Sequence, residues 1–250
     1  MVVVSFTALH YGMPFIREAL LSVAPAVDRF VVAYSPTFSH GHAGNGLRCP
    51  DTEGDLYAAA MDVVRATGKP VQWYTEDWRH EGEQRDSVYR RAPDADVVVV
   101  VDADEVYADG SALRVAELAA AGRVRQYHVS FLHHWQSFRW VCTDGAWPVR
   151  AINTRKAEGE MYINGAQVHH FGYALPPHYI KYKWSGHGHK AEMSPERWAD
   201  WFARYCAWTP DTQDGDCHPV SRDYWTPEPY SGPLPSVLRG HSYETMEVIR

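Results

Sequence analysis

Residues 96–105 read Asp-Val-Val-Val-Val-Val-Asp-Ala-Asp-Glu, and this stretch predicts the fold of the chain. Five consecutive valines between charged residues are too few for a helix and are typical of a strand buried on both faces of a parallel sheet. Asp102 and Asp104 follow the valines, and side chains two residues apart in an extended chain point the same way. Both carboxylates should therefore meet at the carboxyl end of a central strand, where open α/β sheets bind ligands.

Carboxylates at this position suit a hard divalent cation. Mg²⁺ and Mn²⁺ prefer carboxylate oxygen and are usually shared between one or two protein carboxylates and substrate phosphates. The alternative is an acidic turn with no metal, because Asp is common wherever a chain reverses.

The length of the chain allows one α/β domain with a sizeable core and room for a small C-terminal appendage, and the composition is ordinary for a globular protein. The chain has 250 residues, of which 45% are hydrophobic and 22% charged. Its net charge of -7 argues against a broad basic surface for nucleic acid. Four cysteines without a C-x-x-C pair indicate neither a zinc knuckle nor a disulfide framework.

The N-terminus and the hydropathy pattern predict a cytoplasmic protein. Residues 1–6 look like a first strand rather than a signal peptide, and no apolar run approaches the roughly 20 residues that span a bilayer. The expected location is the cytoplasm of the cell, or the host cytoplasm if the protein is viral.

Strand and helix patterns alternate through the first hundred residues, which predicts right-handed crossovers and a doubly wound sheet. Strands are expected at 2–6, 30–34, 71–74 and 97–101, and helices at 14–24, 55–67 and 81–91. A long loop at 35–50 is expected at the same sheet edge as the acidic turn.

The alternation of strands and helices ends after a helix that Ser111 is expected to cap. Strand-like segments follow at 124–132, 138–141, 149–153 and 161–170, with turns at Asp144-Gly145 and Asn164-Gly165. Helices are then expected from Pro176-Pro177 and from Ser194, before an irregular segment at 209–236. Ten Trp and fifteen Tyr crowd mainly into this half; most should pack the core, and a minority could stack on a sugar or a base.

Several motifs resemble the family 2 type of GT-A-fold glycosyltransferases over about residues 2–190. The matching segments are 2–6, 16–23, 84–86 (Gln-Arg-Asp), 101–105 (Val-Asp-Ala-Asp-Glu), 149–153 and 168–173 (Val-His-His-Phe-Gly-Tyr). The resemblance implies a GT-A, Rossmann-like mixed sheet with helices on both faces, plus an irregular aromatic-rich C-terminal region. Residues 1–190 would form this domain, with a nucleotide-binding half to about 105 and an acceptor half from 106. Residues 191–250 would add a helix and a wrapping tail to the same unit.

The resemblance also implies the chemistry, which is transfer of a sugar from a nucleotide-sugar, first of all a UDP-sugar, to an acceptor hydroxyl. A divalent cation, Mn²⁺ or Mg²⁺, would stabilise the charge that develops on the departing diphosphate. Asp104 is the first metal ligand expected, Asp102 would contact the metal or the ribose, and His170 is preferred as a third ligand. His169, His187 and His189 are the competing histidines.

Residues expected to bind the nucleotide follow from position in the same family. Arg85 would contact the diphosphate or orient Asp102, although a surface ion pair with Asp86 or Glu83 is the alternative. Lys183 would add charge for the phosphates. Three residues at the ends of the first two strands would lie against the base and ribose: Thr7, Ala8 and Tyr34.

Members of the family usually invert the sugar's configuration, which requires a carboxylate to take the acceptor's proton. Asp144 is the best candidate, ahead of Glu158 and Glu160, although it could equally be the first residue of a turn before Gly145.

The acceptor could be a saccharide, a small molecule, a protein, or a hydroxylated DNA base, as in some bacteriophage enzymes. A DNA base would have to be flipped out and held by aromatic residues such as Trp135, Trp140 or Trp147. Two other classes of function stay open. A metal-dependent nucleotidyltransferase would need a glycine-rich basic loop after the first strand, which this chain lacks. A non-catalytic carbohydrate-binding module would leave the acidic junction unexplained.

Overall fold

A computed structural model of the chain describes residues 1–37, 47–142, 146–186, 192–212, 217–218, 220 and 226–250. Within them, ten strands form one sheet: β1 (Val3–Leu9), β2 (Arg29–Tyr34), β3 (Val71–Thr75), β4 (Val97–Val100), β5 (Glu105–Tyr107), β6 (Gln126–Trp135), β7 (Trp140–Cys142), β8 (Val149–Asn153), β9 (Glu160–Tyr173) and β10 (Glu228–Pro229). The α-helices are α1 (Ile16–Val23), α2 (Glu53–Thr67), α3 (Glu81–Arg91), α4 (Ser111–Ala121), α5 (Pro177–Ser185) and α6 (Pro195–Ala207).

The first half of the sheet is parallel, in the order β3-β2-β1-β4. Val97 and Val99 of β4 pack on one face with residues of α1, α2 and α4, and Val98 and Val100 pack on the other face with Val88 of α3. The valine strand is therefore buried on both faces, because each side of the pleat has its own helical cover. This confirms the predicted α/β sheet with helices on both faces.

The second half is mostly antiparallel. β8 pairs with β4, and β6, β7 and β10 extend the sheet beyond it. β9 runs parallel to β6 and also pairs with β5, a short strand that the sequence pattern did not predict.

The turn predicted at Asn164-Gly165 is wrong, because β9 continues through these residues as one strand. Gly165 has a φ of 76°, and the register with β6 shifts between Val129 and Ser130, so the glycine sits at an irregularity in the ladder rather than at a hairpin. Pairing with β6 along most of its length outweighs the local turn preference of Asn-Gly. The turn predicted at Asp144-Gly145 lies outside the described residues.

The helix ends follow from their capping residues. The Thr52 hydroxyl accepts a hydrogen bond from Asp55 N at the start of α2, and Gly68 ends that helix with a φ of 70°. The Ser194 hydroxyl caps α6 in the same way. At α4 the capping position is Gly110, so Ser111 is the first helical residue and not the cap.

The aromatic-rich C-terminal region forms a third hydrophobic cluster. Trp201 and Tyr205 of α6 and Ile249 near the C-terminus are fully buried there against the ends of β6 and β9. None of the helices in the described part of the chain combines the length and the apolar character needed to cross a bilayer.

Candidate active site

A cavity of about 710 Å³ opens at the carboxyl ends of β1 and β4. Its walls come from the loop after β1, the acidic turn after β4, α3, and the ends of β6, β8 and β9 with α5. This is the edge at which the sequence predicts a ligand site. The volume is typical of pockets that bind small molecules.

Asp102 lies between two arginines. Arg85 of α3 donates two parallel hydrogen bonds to its carboxylate, at 3.1 and 3.0 Å. Arg150 of β8 contacts the same carboxylate at 3.3 Å and also pairs with Glu105. Arg85 further pairs with Glu81, one helical turn away, and not with Asp86 or Glu83. Its position is that of a side chain that holds Asp102 in place.

Asp104 faces a second group of side chains. Lys183 Nζ of α5 donates to Asp104 Oδ2 at 3.2 Å and to the Gly172 carbonyl at 3.3 Å. His170 Nε2 lies 3.7 Å from the same carboxylate oxygen. The pairing of β5 with β9 produces this arrangement, because Phe171 N donates to the Asp104 carbonyl at 2.7 Å.

His170 is held from behind by a second histidine. Its Nδ1 lies 2.7 Å from Nδ1 of His133, so one ring donates and the other accepts. Phe131 stacks on the His170 ring at 5.4 Å and also lies under the Arg150 guanidinium at 4.8 Å. These contacts leave Nε2 of His170 directed toward Asp104.

The electrostatics favour charged aspartates and a neutral histidine. Burial acts to raise the pKa of Asp102, but Arg85 and Arg150 outweigh it and hold the pKa below its usual range. Asp104 has a lowered pKa for the same reason, with burial opposed chiefly by the Lys183 ammonium. Burial lowers the pKa of His170 to about 3, so its imidazole is neutral and can offer a lone pair.

Glu105 differs from the two aspartates. Its side chain is only 1% exposed, and burial raises its pKa although the Arg150 guanidinium opposes the shift. Its second carboxylate oxygen accepts the backbone N–H of Asp102 at 3.2 Å, which ties the start of β5 to the acidic turn.

The loop after β1 is built against the acidic turn. Asp51 accepts hydrogen bonds from Gly12 N at 2.7 Å and Met13 N at 3.0 Å, and the Tyr179 hydroxyl donates to its other oxygen. A side chain at Gly12, whose φ is 153°, would place a Cβ 2.3 Å from the Cβ of Ala103. The close approach therefore requires glycine.

The structure brings together some of the residues singled out in the sequence and leaves others apart. The predicted residues that line the cavity are Ala8, Arg85, Asp102, Asp104, His170 and Lys183. Thr7 and Tyr34 do not line it: Thr7 is fully buried in β1, and Tyr34 is buried against Trp73 at 5.7 Å. Their nucleotide contacts stay predictions that this geometry does not favour.

His169 turns away from His170 and hydrogen-bonds to His134 at 2.9 Å, so it does not line the cavity. Asp144, His187 and His189 lie outside the described residues. Glu160 is exposed beside His128, away from the cavity. Likewise, the cavity wall includes none of the three tryptophans suggested for a flipped base: Trp135, Trp140 and Trp147.

Several residues of the site had no predicted role. Arg150 and Glu105 form its buried ion pair, His133 supports His170, and the buried Gln84 amide donates to the carbonyls of Leu9 and Ala33 at 3.2 and 2.8 Å. Of these residues, Arg150 could have been recognised from the sequence. A charged residue inside a strand pattern indicates a buried partner, because a buried charge needs one.

Comparison with known proteins gives likenesses of fold at low identity. No family model matches the chain, and no curated protein matches it. TarS from S. aureus, in a complex with UDP-GlcNAc, is 13% identical with a TM-score of 0.38, over 54% of this chain and 35% of that one. HddC from Yersinia pseudotuberculosis is 10% identical with a TM-score of 0.41, over 73% and 98%.

Glucosyl-3-phosphoglycerate synthase from Mycobacterium tuberculosis, in a complex with Mn²⁺, UDP-glucose and phosphoglyceric acid, is 17% identical. The match has a TM-score of 0.34 and covers 53% of this chain and 44% of that one. The chain spans about a third of the length of the TarS chains that it matches.

Proposed function

We propose that this protein is a metal-dependent glycosyltransferase that moves a sugar from a nucleotide-sugar donor to an acceptor hydroxyl. The observation that carries the proposal is the meeting of Asp102, Asp104 and His170 with cationic side chains in one cavity, at the carboxyl ends of parallel strands. This set of charges suits a diphosphate and its counter-ion.

The cations supply the phosphate contacts. Lys183 lines the cavity beside Asp104, and Arg85 lines it beside Asp102. A diphosphate leaving group gains negative charge as the sugar departs, and fixed cations at that point stabilise it. Arg150, which is more deeply buried, instead keeps Asp102 and Glu105 in position.

Asp104 and His170 fit a divalent cation that is shared with the substrate. Their ligand atoms lie 3.7 Å apart, and the imidazole is neutral. The described residues contain no group of three or more His, Cys, Asp or Glu side chains suited to hold a metal. Mg²⁺ is usually held by one or two protein carboxylates together with substrate phosphates and water, and Asp104 would supply one such carboxylate here. When bound, the ion would act as a Lewis acid on the diphosphate.

In the transfer itself, a bond forms between the acceptor oxygen and the anomeric carbon, and the bond from that carbon to the diphosphate oxygen breaks. The acceptor's proton passes to a carboxylate. A single displacement of this kind inverts the configuration at the anomeric carbon, and Asp144 remains our candidate for the base. Glu192 lines the cavity and is the second candidate.

The acceptor is best sought among saccharides and other small alcohols. The aromatic residues that would hold a flipped DNA base do not line the cavity, and the net charge of the chain is -7. The predicted donor is a UDP-sugar, and the titration described next compares it with donors that carry other bases.

The test is calorimetric titration of the protein with UDP-, GDP- and TDP-sugars, with and without Mn²⁺. We expect the nucleotide-sugars of one base to bind in the micromolar range, and only with the metal present. Asp104→Asn should weaken this binding at least tenfold. Asp62→Asn, the same change on the exposed face of α2, should bind as the wild type does. Metal-independent binding of all donors, or pyrophosphate release from a nucleoside triphosphate, would contradict the proposal.

A further inference from the structure

Helix α5 is held against the first half of the chain by the hydroxyl groups of two tyrosines. Tyr179 donates a hydrogen bond to Oδ1 of Asp51, and the Tyr182 hydroxyl lies 2.8 Å from Nε2 of His10. The partners precede the tyrosines by 128 and 172 residues along the chain. Tyr179 and Tyr182 are one helical turn apart, so both bonds hold the same side of α5.

The hydrogen bond between Tyr182 and His10 has a defined direction. Nδ1 of His10 lies 2.7 Å from the carbonyl oxygen of Ser35, which can only accept, so Nδ1 carries the proton. Burial lowers the pKa of His10, so the ring is neutral and its Nε2 accepts the Tyr182 hydroxyl. His10 thus connects α5 to the loop after β1 and, through Ser35, to the end of β2.

Asp51 connects α5 to the same loop. Its Oδ2 accepts the backbone N–H groups of Gly12 and Met13, at 2.7 and 3.0 Å, while its Oδ1 accepts the Tyr179 hydroxyl. Asp51 is 7% exposed and does not line the cavity at the acidic turn. Any effect of this carboxylate on a ligand in the cavity therefore has to pass through the segments that it holds.

The side chain whose position depends on this anchoring is Lys183. It follows Tyr182 in α5, and its Nζ lies 3.2 Å from Asp104 Oδ2 and 3.3 Å from the Gly172 carbonyl oxygen. A Cβ on residue 172 would lie 2.7 Å from that Nζ, so the space for the ammonium group is narrow. A lysine side chain is flexible and loses conformational entropy when it is fixed. Its ammonium group stays at Asp104 only if the helix backbone is held in place.

We infer that Tyr179–Asp51 and Tyr182–His10 are positioning pairs for Lys183: they fix α5, and through it the ammonium group that contacts the diphosphate of the donor. The inference rests on the proposed function, because it takes Lys183 as a cation for that diphosphate. A cation fixed in advance stabilises the departing diphosphate without having to move during the reaction.

The first measurement needs no ligand. Acetylation of the lysine amines by an N-hydroxysuccinimide ester, followed by mass spectrometry, reports how accessible each amine is. The Lys183 side chain is 13% exposed and paired with Asp104, whereas Lys181 on the same helix is exposed and serves as the internal control. We expect Tyr179→Phe and Tyr182→Phe each to raise the acetylation rate of Lys183 about threefold and to leave that of Lys181 unchanged. An unchanged rate at Lys183 in both variants would overturn the inference.

The second measurement is calorimetric titration, with Mn²⁺ present, of nucleoside diphosphates of each base and of the matching nucleosides. We expect each tyrosine variant to weaken binding of the diphosphate about fivefold and to leave binding of the nucleoside within about twofold. The reason is that a nucleoside has no phosphate for Lys183 to contact. A general loss of structure would instead weaken both ligands alike.

A double-variant cycle separates positioning from direct contact with the ligand. Lys183→Met removes the ammonium group and keeps an unbranched side chain. In that background, Tyr179→Phe and Tyr182→Phe should cause no further loss of diphosphate affinity. Additive losses would overturn the inference, because the hydroxyl groups would then act independently of Lys183. Tyr57→Phe, which changes an exposed tyrosine of α2, should behave as the wild type in every measurement.

The two proposals fail separately. If no nucleoside diphosphate binds while acetylation of Lys183 still rises in both variants, the proposed function is wrong and the positioning of Lys183 stands. If nucleoside diphosphates bind to both tyrosine variants as they do to the wild type, the proposed function stands and the positioning role is overturned.

Discussion

Replacing Arg150 by methionine tests the buried ion pair at the base of the acidic site. Arg150 pairs with Glu105 and with Asp102, and its guanidinium lies over Phe131. Methionine keeps an apolar chain of similar length over the ring but removes the charge. Glu105, which is 1% exposed, would then remain as a buried carboxylate without its cation.

The expected loss of stability is large. Breaking a buried pair by removing one partner destabilises a protein by about 3–5 kcal/mol. In a chain of this size, each kcal/mol lowers the melting temperature by about 2–4 °C. Arg85→Met is the matched control: Arg85 is 36% exposed on its side chain, and Asp102 retains Arg150. We expect it to lose about 1 kcal/mol.

The pH dependence has a definite sign. Burial raises the pKa of Glu105, and loss of the opposing guanidinium raises it further. Between the usual value of 4.5 and this raised pKa, the native variant holds a proton that the unfolded chain has lost. The stability of Arg150→Met should therefore be greatest near pH 5 and fall as the pH rises toward 8. Adding Glu105→Gln should remove this slope.

The assay is urea unfolding followed by tryptophan fluorescence, at pH 5 to 8, for the wild type, Arg85→Met, Arg150→Met, Glu105→Gln and the double variant Arg150→Met/Glu105→Gln. We expect the double variant to recover at least about 2 kcal/mol relative to the sum of the single losses. Additive losses, or a stability of Arg150→Met that does not change with pH, would refute the reasoning.

Three further predictions follow from contacts of single residues. His133→Phe removes the hydrogen bond to His170, the expected metal ligand, and should weaken Mn²⁺ affinity about tenfold in the presence of nucleotide. His133→Gln keeps a hydrogen-bond acceptor, so its Mn²⁺ affinity should fall less. Calorimetric titration measures both affinities. Gly12→Ala forces a contact with Ala103 at a φ of 153° and should destabilise the fold by about 2–3 kcal/mol. Gly82→Ala, which has nothing near its Cβ, should leave the stability unchanged. Thermal melting compares the two variants, and equal melting temperatures would contradict the strain argument. Burial lowers the pKa of His169 to about 4, so the unfolded chain takes up its proton first and stability should fall by up to about 3 kcal/mol between pH 6.5 and 4. Urea unfolding checks this, and an unchanged slope in His169→Leu would exclude the residue as the cause.

Most of the parallel half of the sheet could be predicted from the sequence because its signals are local. The valine run, the Thr52 cap and the glycine after α2 each act within a few residues, as does the Ser194 cap of α6 in the C-terminal region. The same is true of the acidic turn, which follows directly from the end of β4.

Local sequence patterns do not decide whether Thr7 or Ala8 faces the cavity. Neighbouring residues in a strand point to opposite faces, so only one of them can line a cavity. The cavity lies on the side of Ala8, whereas the Thr7 side chain is buried. Which face of the strand is open depends on where the helices pack, and the sequence of the strand does not determine that.

The sequence by itself determined the parallel sheet, its helical cover and the two aspartates at its edge, because burial and periodicity act along a short segment. Only the tertiary structure decided what those aspartates contact. Arg150 meets Asp102 from 48 residues away, and His133 meets His170 from 37 residues away. Both contacts require the pairing of β4 with β8 and of β6 with β9. Charges separated this far are brought together by strand register, which is a property of the whole sheet.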